Sequence, residues 1–213
     1  MNYDDIRPFT DAEVPAAMQR IGSMDVTPQI VRFVYPESDV KSLLAVRSVR
    51  ELQATFMNDA IKRIVAATTD GLTCSGLGYL RRGGNYMFVS NHRDITLDAF
   101  LLQHLLLEHK GDTSYIVFGD NLLAMPAAAD LFRCNRLISM RRGGSPRAFY
   151  ESLRHLSEYL HHLIEDERHS VWIAQKNGRA KDGIDQTAPA IVKMLALGSD
   201  KAPLQALSAL HIV

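Results

Sequence analysis

Residues 90–98 read SNHRDITLD, and this stretch decides the predicted fold because an apolar strand ends there and a helix begins. The preceding residues 86–89 are aromatic and β-branched, which favours a buried strand. Residues 99–107 then show the leucine spacing of a helix. His92 would lie at the carboxyl end of a strand, where open α/β sheets bind their ligands.

The side chains of this turn are suited to proton transfer. An imidazole such as that of a histidine is neutral near pH 7, and a neighbouring carboxylate can fix its tautomer and stabilise its charged form. Asp98 is one candidate for that carboxylate, and Asp94 is a nearer alternative that can also cap the helix. For the motif taken alone, a turn histidine beside a capping aspartate is an equally good interpretation.

The rest of the chain alternates between strand and helix patterns, which predicts an α/β sheet with helices on its faces. Ser145 and Pro146 have the residue types of an N-cap and a first helical position, so a helix should begin there. Residues 49–68 form a second amphipathic pattern. The predicted strands cover residues 71–77, 86–89, 113–118, 136–140, 169–175 and 209–213.

Two further strands are followed by basic residues. Residues 175–183 read QKNGRAKDG after one strand, and residues 141–144 read RRGG after another. Glycines with interleaved cations make turns that bind anions. Each loop alone could be a solvated surface turn, but their repetition at strand ends predicts one shared rim with His92 for a negatively charged ligand.

Composition sets outer limits on function. With 213 residues, 46% of them hydrophobic, the chain can form one domain with a sizeable core. Its formal net charge of zero gives no overall field for nucleic acid, so no nucleic-acid partner is expected. Cys74 and Cys134 fit neither a disulfide framework nor a metal spacing, and no metal site is predicted. No segment has the length and hydrophobicity of a signal peptide or transmembrane helix.

These blocks, in this order, resemble the glycerol-phosphate acyltransferase superfamily, which includes the lysophosphatidic acid acyltransferases. The superfamily has an NHxxxxD motif, then a strand ending in Arg, then an EGTR-like turn. Here residues 91–98, 119–123, 141–142 and 178–183 look like a bacterial branch with an HxxxxxD motif. The similarity runs from about Ile6 to the end of the chain.

The resemblance implies a single-domain fold of the glycerol-3-phosphate acyltransferase type, with a mixed, mostly parallel sheet. Residues 1–48, which contain four prolines, would form an N-terminal wrapping segment, and residues 49–213 the acyltransferase-like domain. Members of the family have a further proline-containing strand soon after the position that corresponds to residue 213, so we expect this domain to be truncated at its C-terminal end. Asn177 stands where the superfamily has Glu.

The activity implied by the resemblance is acyl transfer from a thioester to a hydroxyl of a glycerol-phosphate or lysophospholipid, as in bacterial phospholipid biosynthesis. His92 would be the general base and Asp98 its orienter, with Asp94 as the alternative. Acyl-CoA or acyl carrier protein would be the co-substrate, with no other cofactor. The residues expected to bind the phosphorylated acceptor are Arg141, Arg142, Asn177, Gly178, Arg179 and Lys181.

A lipid acceptor would require the protein to reach a membrane from its surface. The expected location is therefore cytoplasmic and peripheral, on the inner face of the plasma membrane. The alternative function is a catalytically weak lipid- or acyl-chain-binding protein on the same fold, which Asn177 and the long His–Asp spacing favour. A hydrolase ranks last, because the chain has no GxSxG nucleophile elbow.

Overall fold

The centre of the molecule is a four-stranded parallel sheet, seen in a computed structural model that describes residues 2–81, 83–124, 126–184 and 186–213. The strands lie in the order β1-β4-β2-β3, and every pairing is parallel. The predicted single-domain α/β fold is thus confirmed, with a sheet that is wholly parallel. The strand bounds are Met87–Ser90 (β1), Tyr115–Gly119 (β2), Leu137–Met140 (β3) and Val171–Ala174 (β4).

Ten α-helices occur in the described part of the chain, together with two π-helical turns and two 3₁₀ turns. The π-helical turns are Gln53–Met57 and His162–Asp166, and the 3₁₀ turns are Leu77–Tyr79 and Asp120–Ala124. The helix bounds are Val14–Gly22 (α1), Thr27–Val34 (α2), Val40–Leu44 (α3), Val49–Leu52 (α4), Asn58–Thr68 (α5), Leu97–Lys110 (α6), Pro126–Cys134 (α7), Pro146–His161 (α8), Pro189–Leu195 (α9) and Pro203–Ala209 (α10).

The two faces of the sheet bury different helices, as alternating side chains require. On one face, Val117 and Ile138 pair in register and pack with Leu160 of α8 and with α9 and α10. On the other face, Phe118 and Trp172 belong to a cluster with α6. Both faces of this parallel sheet are therefore covered, which explains the near-continuous apolar sequence of its strands.

The N-terminal helices form a third apolar cluster, which contains the buried Cys134 of α7. This cluster extends past residue 48 through Leu52 and Phe56. A bidentate ion pair joins Arg20 of α1 to Asp130 of α7, with N–O distances of 2.7 and 2.8 Å. The N-terminal segment is thus held against the edge of the sheet at α7.

The predicted start of α8 is confirmed. The helix begins at Pro146, and the Oγ of Ser145 accepts a hydrogen bond of 3.3 Å from the amide of Ala148. The predicted helix over residues 49–68 is also present, but it contains the π-helical turn Gln53–Met57. Gln53 in this turn accepts from Thr113 at 2.7 Å and donates to Asn135 at 3.1 Å, so a buried polar network holds the wider turn.

The predicted strand over residues 71–77 is wrong. Among the residues that the structure describes, this mostly exposed segment has no ladder partner, and it ends in the 3₁₀ turn Leu77–Tyr79. The prediction for residues 209–213 is half correct, because Ala209 ends α10. Beyond it, Val213 donates to the carbonyl of Met87 and accepts from the amide of Val89, both at 3.0 Å, so the segment lies beside β1.

No helix in the described ranges is both long and apolar enough to cross a membrane.

Candidate active site

A histidine–aspartate pair lies directly after β1. The Nδ1 atom of His92 is 2.8 Å from Oδ2 of Asp98, which lies in the first turn of α6. Because a carboxylate oxygen only accepts, Nδ1 is the donor, and the neutral ring keeps the lone pair of Nε2 for a proton from elsewhere. The two side chains are 17% and 19% exposed, so the pair is shielded but reachable.

The carboxylate of Asp98 is fixed by the turn as well as by His92. Its Oδ2 also accepts hydrogen bonds from the amides of Arg93, at 2.6 Å, and Asp94, at 2.9 Å. The residue added by the HxxxxxD spacing is thus accommodated in a turn that folds around the Asp98 carboxylate. These bonds restrain the carboxylate in the position that orients the imidazole.

Asp94, the alternative orienter, makes different contacts. Its Oδ1 accepts from the amides of Thr96, at 2.8 Å, and Leu97, at 2.7 Å, which stabilises the start of α6. The pKa of Asp94 is lowered, mainly by these two backbone hydrogen bonds and to a smaller extent by the nearby charges of Arg179 and His92. The structure therefore brings Asp98, and not Asp94, into contact with the imidazole.

Strand β4 places Trp172 beside His92, because β4 is the neighbour of β1 in the sheet. The ring of His92 packs edge-on against Trp172, with centroids 6.0 Å apart and planes at 74°. The indole Nε1 of Trp172 donates to Oγ of Ser90 at 2.9 Å. Our sequence reasoning did not single out Trp172, although it is the only tryptophan in the chain and lies in a strand predicted to end at the same rim.

The loop after β4 passes over the His92 turn. The amide of Ala180 donates to the carbonyl of His92 at 2.7 Å, and the amide of Gln175 donates to that of Ser90 at 2.8 Å. Gly178 has a φ of +78°, a left-handed conformation that favours glycine, so the loop can turn back there. These backbone bonds bring the basic residues of the loop to the histidine.

A cavity of about 240 Å³ opens beside His92 at the carboxyl edge of the sheet. Its basic lining residues are Arg142, Lys176 and Arg179, and none of the described residues lining it is acidic. Asn177, Gly178 and Asn121 also line it. Its apolar wall includes Phe100, Ile116, Phe118, Leu122, Phe132, Leu137 and Trp172, mostly on the side of α6.

The structure separates the two adjacent arginines that follow β3. Arg142 lines the cavity with His92, whereas Arg141 lines a separate open cleft with Asp4, Asp5 and Glu151. Consecutive residues of an extended chain point to opposite sides, so only one of the pair can face the cavity.

Of the other predicted binding residues, Asn177, Gly178 and Arg179 reach the cavity, while Lys181 is not among the described residues that line it.

Lys176 and Asn121 are cavity residues that the sequence reasoning missed. Lys176 is the second residue after β4, and its Nζ donates to the carbonyl of Ile184 at 3.0 Å. Asn121 lies in the block of residues 119–123, which already resembled the family. Both residues lie two positions after the end of a strand, β4 for Lys176 and β2 for Asn121, and this position could have identified them as candidates for the site.

The arrangement combines three chemical features: an oriented imidazole, a group of cations, and an apolar wall in one cavity. It can bind an anionic molecule that carries an apolar chain, and it can take a proton from a hydroxyl on that molecule. In the described parts of the chain, no group of three or more His, Cys, Asp or Glu side chains is placed as a metal site requires.

A protein-family model described as Acyltransferase matches residues 71–185, which is more than half of the chain. The matched range contains all four strands and both members of the His92–Asp98 pair, together with Arg142 and the loop after β4. No curated protein matches the chain.

Proposed function

Since this chain belongs to the glycerol-phosphate/lysophosphatidic acid acyltransferase family, we propose that it moves a fatty acyl group from a thioester to a hydroxyl of a glycerol-phosphate or lysophospholipid. The observation that carries this proposal is the His92–Asp98 contact of 2.8 Å beside a basic cavity with an apolar wall. Such a cavity suits an acceptor with a phosphate and a donor with an acyl chain.

In the proposed reaction, Nε2 of His92 takes the proton from the acceptor hydroxyl as its oxygen attacks the thioester carbonyl carbon. The C–O bond of the new ester forms, the C–S bond breaks, and the proton passes to the departing thiolate. Asp98 holds the tautomer that leaves Nε2 basic and stabilises the imidazolium that forms. General-base catalysis of this kind contributes on the order of 10² to 10⁴ in rate.

Arg142, Arg179 and Lys176 are the proposed ligands of the acceptor's phosphate. A planar guanidinium can donate two parallel hydrogen bonds to a phosphate, and a lysine adds a point charge. Asn177 and Gly178 would place amide groups at the same position of the cavity. Arg141 and Lys181, which the sequence favoured equally, are left out of this group because the cavity is lined without them.

The proposed donor is acyl-CoA or acyl carrier protein, acting as a co-substrate, and we propose no further cofactor. The apolar wall that includes Phe100, Phe118 and Phe132 would receive the acyl chain. Burying methylene groups there gains about 0.8 kcal/mol each. The proposed reaction belongs to phospholipid biosynthesis.

We further propose that the protein works at a membrane surface, on the inner face of the plasma membrane. Two large apolar side chains near the cavity are exposed, Ile95 by 57% and Ile184 by 59%. Ile95 lines the cavity, and the carbonyl of Ile184 is bonded to Lys176. Apolar and basic groups side by side suit contact with anionic lipid headgroups.

Release of free thiol from acyl-CoA tests the proposed function, measured with and without lysophosphatidic acid. We expect release that depends on the acceptor, and its loss in His92→Ala with the fold retained. His155→Ala is the matched control, because His155 also lies beside a carboxylate, Asp5 at 3.1 Å, but in the separate cleft.

Two results would contradict the proposal: acceptor-dependent release at a normal rate in His92→Ala, or wild-type protein that binds lysophosphatidic acid without releasing thiol. The second result would instead identify a lipid-binding protein on this fold, the function that the replacement of Glu by Asn177 favours.

A further inference from the structure

Gly119, the last residue of β2, lies against the guanidinium group of Arg142. A Cβ atom added to Gly119 would be 2.6 Å from Cζ of Arg142 and 2.6 Å from Oδ1 of Asn121, and would also overlap Nε of Arg142. These distances are shorter than any side-chain contact permits. The two side chains therefore occupy the space that any residue other than glycine would fill.

The backbone around this contact is held from both strands. Gly119 pairs in register with Met140, so Arg142 follows two residues beyond its partner in β3. The amide of Arg142 donates to Oδ1 of Asp120 at 3.1 Å, which fixes the arginine backbone beside the end of β2. Because its backbone is fixed, the Arg142 side chain can pass beside residue 119 into the cavity only if residue 119 has no side chain of its own.

We propose that Gly119 is a positioning residue for the anion site: its missing side chain lets the Arg142 guanidinium lie in the cavity where the acceptor's phosphate binds. This inference rests on the proposed function, because it assumes that Arg142 binds the phosphate of the acceptor. Gly119 itself touches no reacting atom, and its effect passes through Arg142 and Asn121.

A larger residue at position 119 should move side chains rather than disrupt the fold. The atoms that an added Cβ would meet are the ends of two flexible side chains, which can rotate away. Gly119 is not among the glycines with positive φ, so alanine can adopt its backbone conformation. Gly119→Ala should therefore displace the guanidinium and leave the sheet intact.

The test compares Gly119→Ala, Arg142→Ala and the double variant, with KM and kcat measured for glycerol 3-phosphate and for lysophosphatidic acid. Gly119→Ala should raise the KM of both acceptors about tenfold or more, because it weakens the hydrogen-bonded charge pair between the Arg142 guanidinium and the acceptor's phosphate. Turnover should stay within about threefold, as expected when ground-state and transition-state binding fall together. In the Arg142→Ala background, adding Gly119→Ala should change KM less than about twofold, because both act on one contact.

Two controls separate this effect from general disturbance. Gly78→Ala adds a Cβ that meets no atom of the described residues within 4 Å, and Arg141→Ala removes the neighbouring guanidinium from the other cleft. Both should leave acceptor KM unchanged. Calorimetric titration with glycerol 3-phosphate gives the same comparison without turnover, and thermal unfolding checks that Gly119→Ala is folded.

The outcomes distinguish this inference from the proposed function. If Arg142→Ala raises acceptor KM but Gly119→Ala does not, or if the two effects add in full, Gly119 does not position Arg142. A rise with lysophosphatidic acid alone would assign the effect to the acyl chain and would also overturn the inference. If neither Arg142→Ala nor Gly119→Ala alters binding of either acceptor, the phosphate role of Arg142 fails as well.

Discussion

Two aspartates four residues apart have different contacts in the His92 turn, and the difference assigns their proposed roles. Asp98 accepts from Nδ1 of the imidazole, whereas Oδ1 of Asp94 accepts from the backbone amides of Thr96 and Leu97 at the start of α6. The amide group of an asparagine can donate to Nδ1 and so favour the tautomer that carries the proton on Nε2. Asparagine caps a helix about as well as aspartate does.

We therefore predict that Asp98→Asn lowers kcat about a hundredfold or more, while Asp94→Asn lowers it less than about threefold. Thiol release from acyl-CoA at saturating acceptor measures both values. Thermal unfolding is needed beside it, because Asp98 also accepts from the amides of Arg93 and Asp94. A larger loss in Asp94→Asn than in Asp98→Asn would mean that the orienter has been assigned to the wrong carboxylate.

At the scale of elements, the close contact between α8 and the segment after α9 depends on Gly198. A Cβ added there would be 2.6 Å from Cα of Glu158 and would overlap the backbone of Ser157 and Glu158. The amide of Gly198 donates to Oγ of Ser157 at 2.8 Å, and that hydroxyl donates to the carbonyl of Leu195 at 3.2 Å. These bonds keep the two segments at a distance that only glycine allows.

Gly198→Ala should lower the free energy of unfolding by about 2 kcal/mol or more, since the atoms in its way are helix backbone and cannot rotate aside. Urea denaturation with the midpoint and slope both fitted measures the loss. Gly78→Ala is the matched control, because its added Cβ meets no atom within 4 Å in the part of the chain that the structure describes. Equal midpoints for the two variants would show that α8 and the segment after α9 can separate at little cost.

At the scale of the whole molecule, the cavity mouth defines the surface that should face a membrane. Arg142, Lys176 and Arg179 line the cavity, and Ile95 and Ile184 are exposed near it. Basic residues near an anionic membrane contribute about 1 kcal/mol each, and salt screens that attraction. The protein should therefore bind through this side of the sheet.

We predict that the protein floats with vesicles containing anionic lipid at low salt, and that raising the salt concentration releases it. The double variant Ile95→Ser with Ile184→Ser should float less. Leu204→Ser is its control, because Leu204 is 82% exposed but belongs to α10, none of whose described residues lines the cavity. Docking by this surface would be contradicted if the protein stays at the bottom of the gradient at low salt while it still acylates a water-soluble acceptor.

The sequence by itself determined the features that depend on local pattern. The change from a short apolar run to leucine spacing at residues 90–98 predicted β1 and α6, and Ser145 with Pro146 predicted the start of α8. Alternation of strands and helices predicted the α/β sheet, and the sequence placed His92 at its carboxyl edge. These features follow from periodicity and capping, which act over a few neighbouring residues.

Only the tertiary structure decided which side chains meet. Asp98 contacts His92 because the turn folds around its carboxylate, and Arg142 reaches the cavity because consecutive residues after β3 point to opposite sides. Residues 71–77 failed as a strand because a strand also needs a hydrogen-bonding partner, which local sequence does not specify. The guanidinium group that lies against Gly119 belongs to Arg142, which is 23 residues further along the chain, so no local pattern could have predicted this contact.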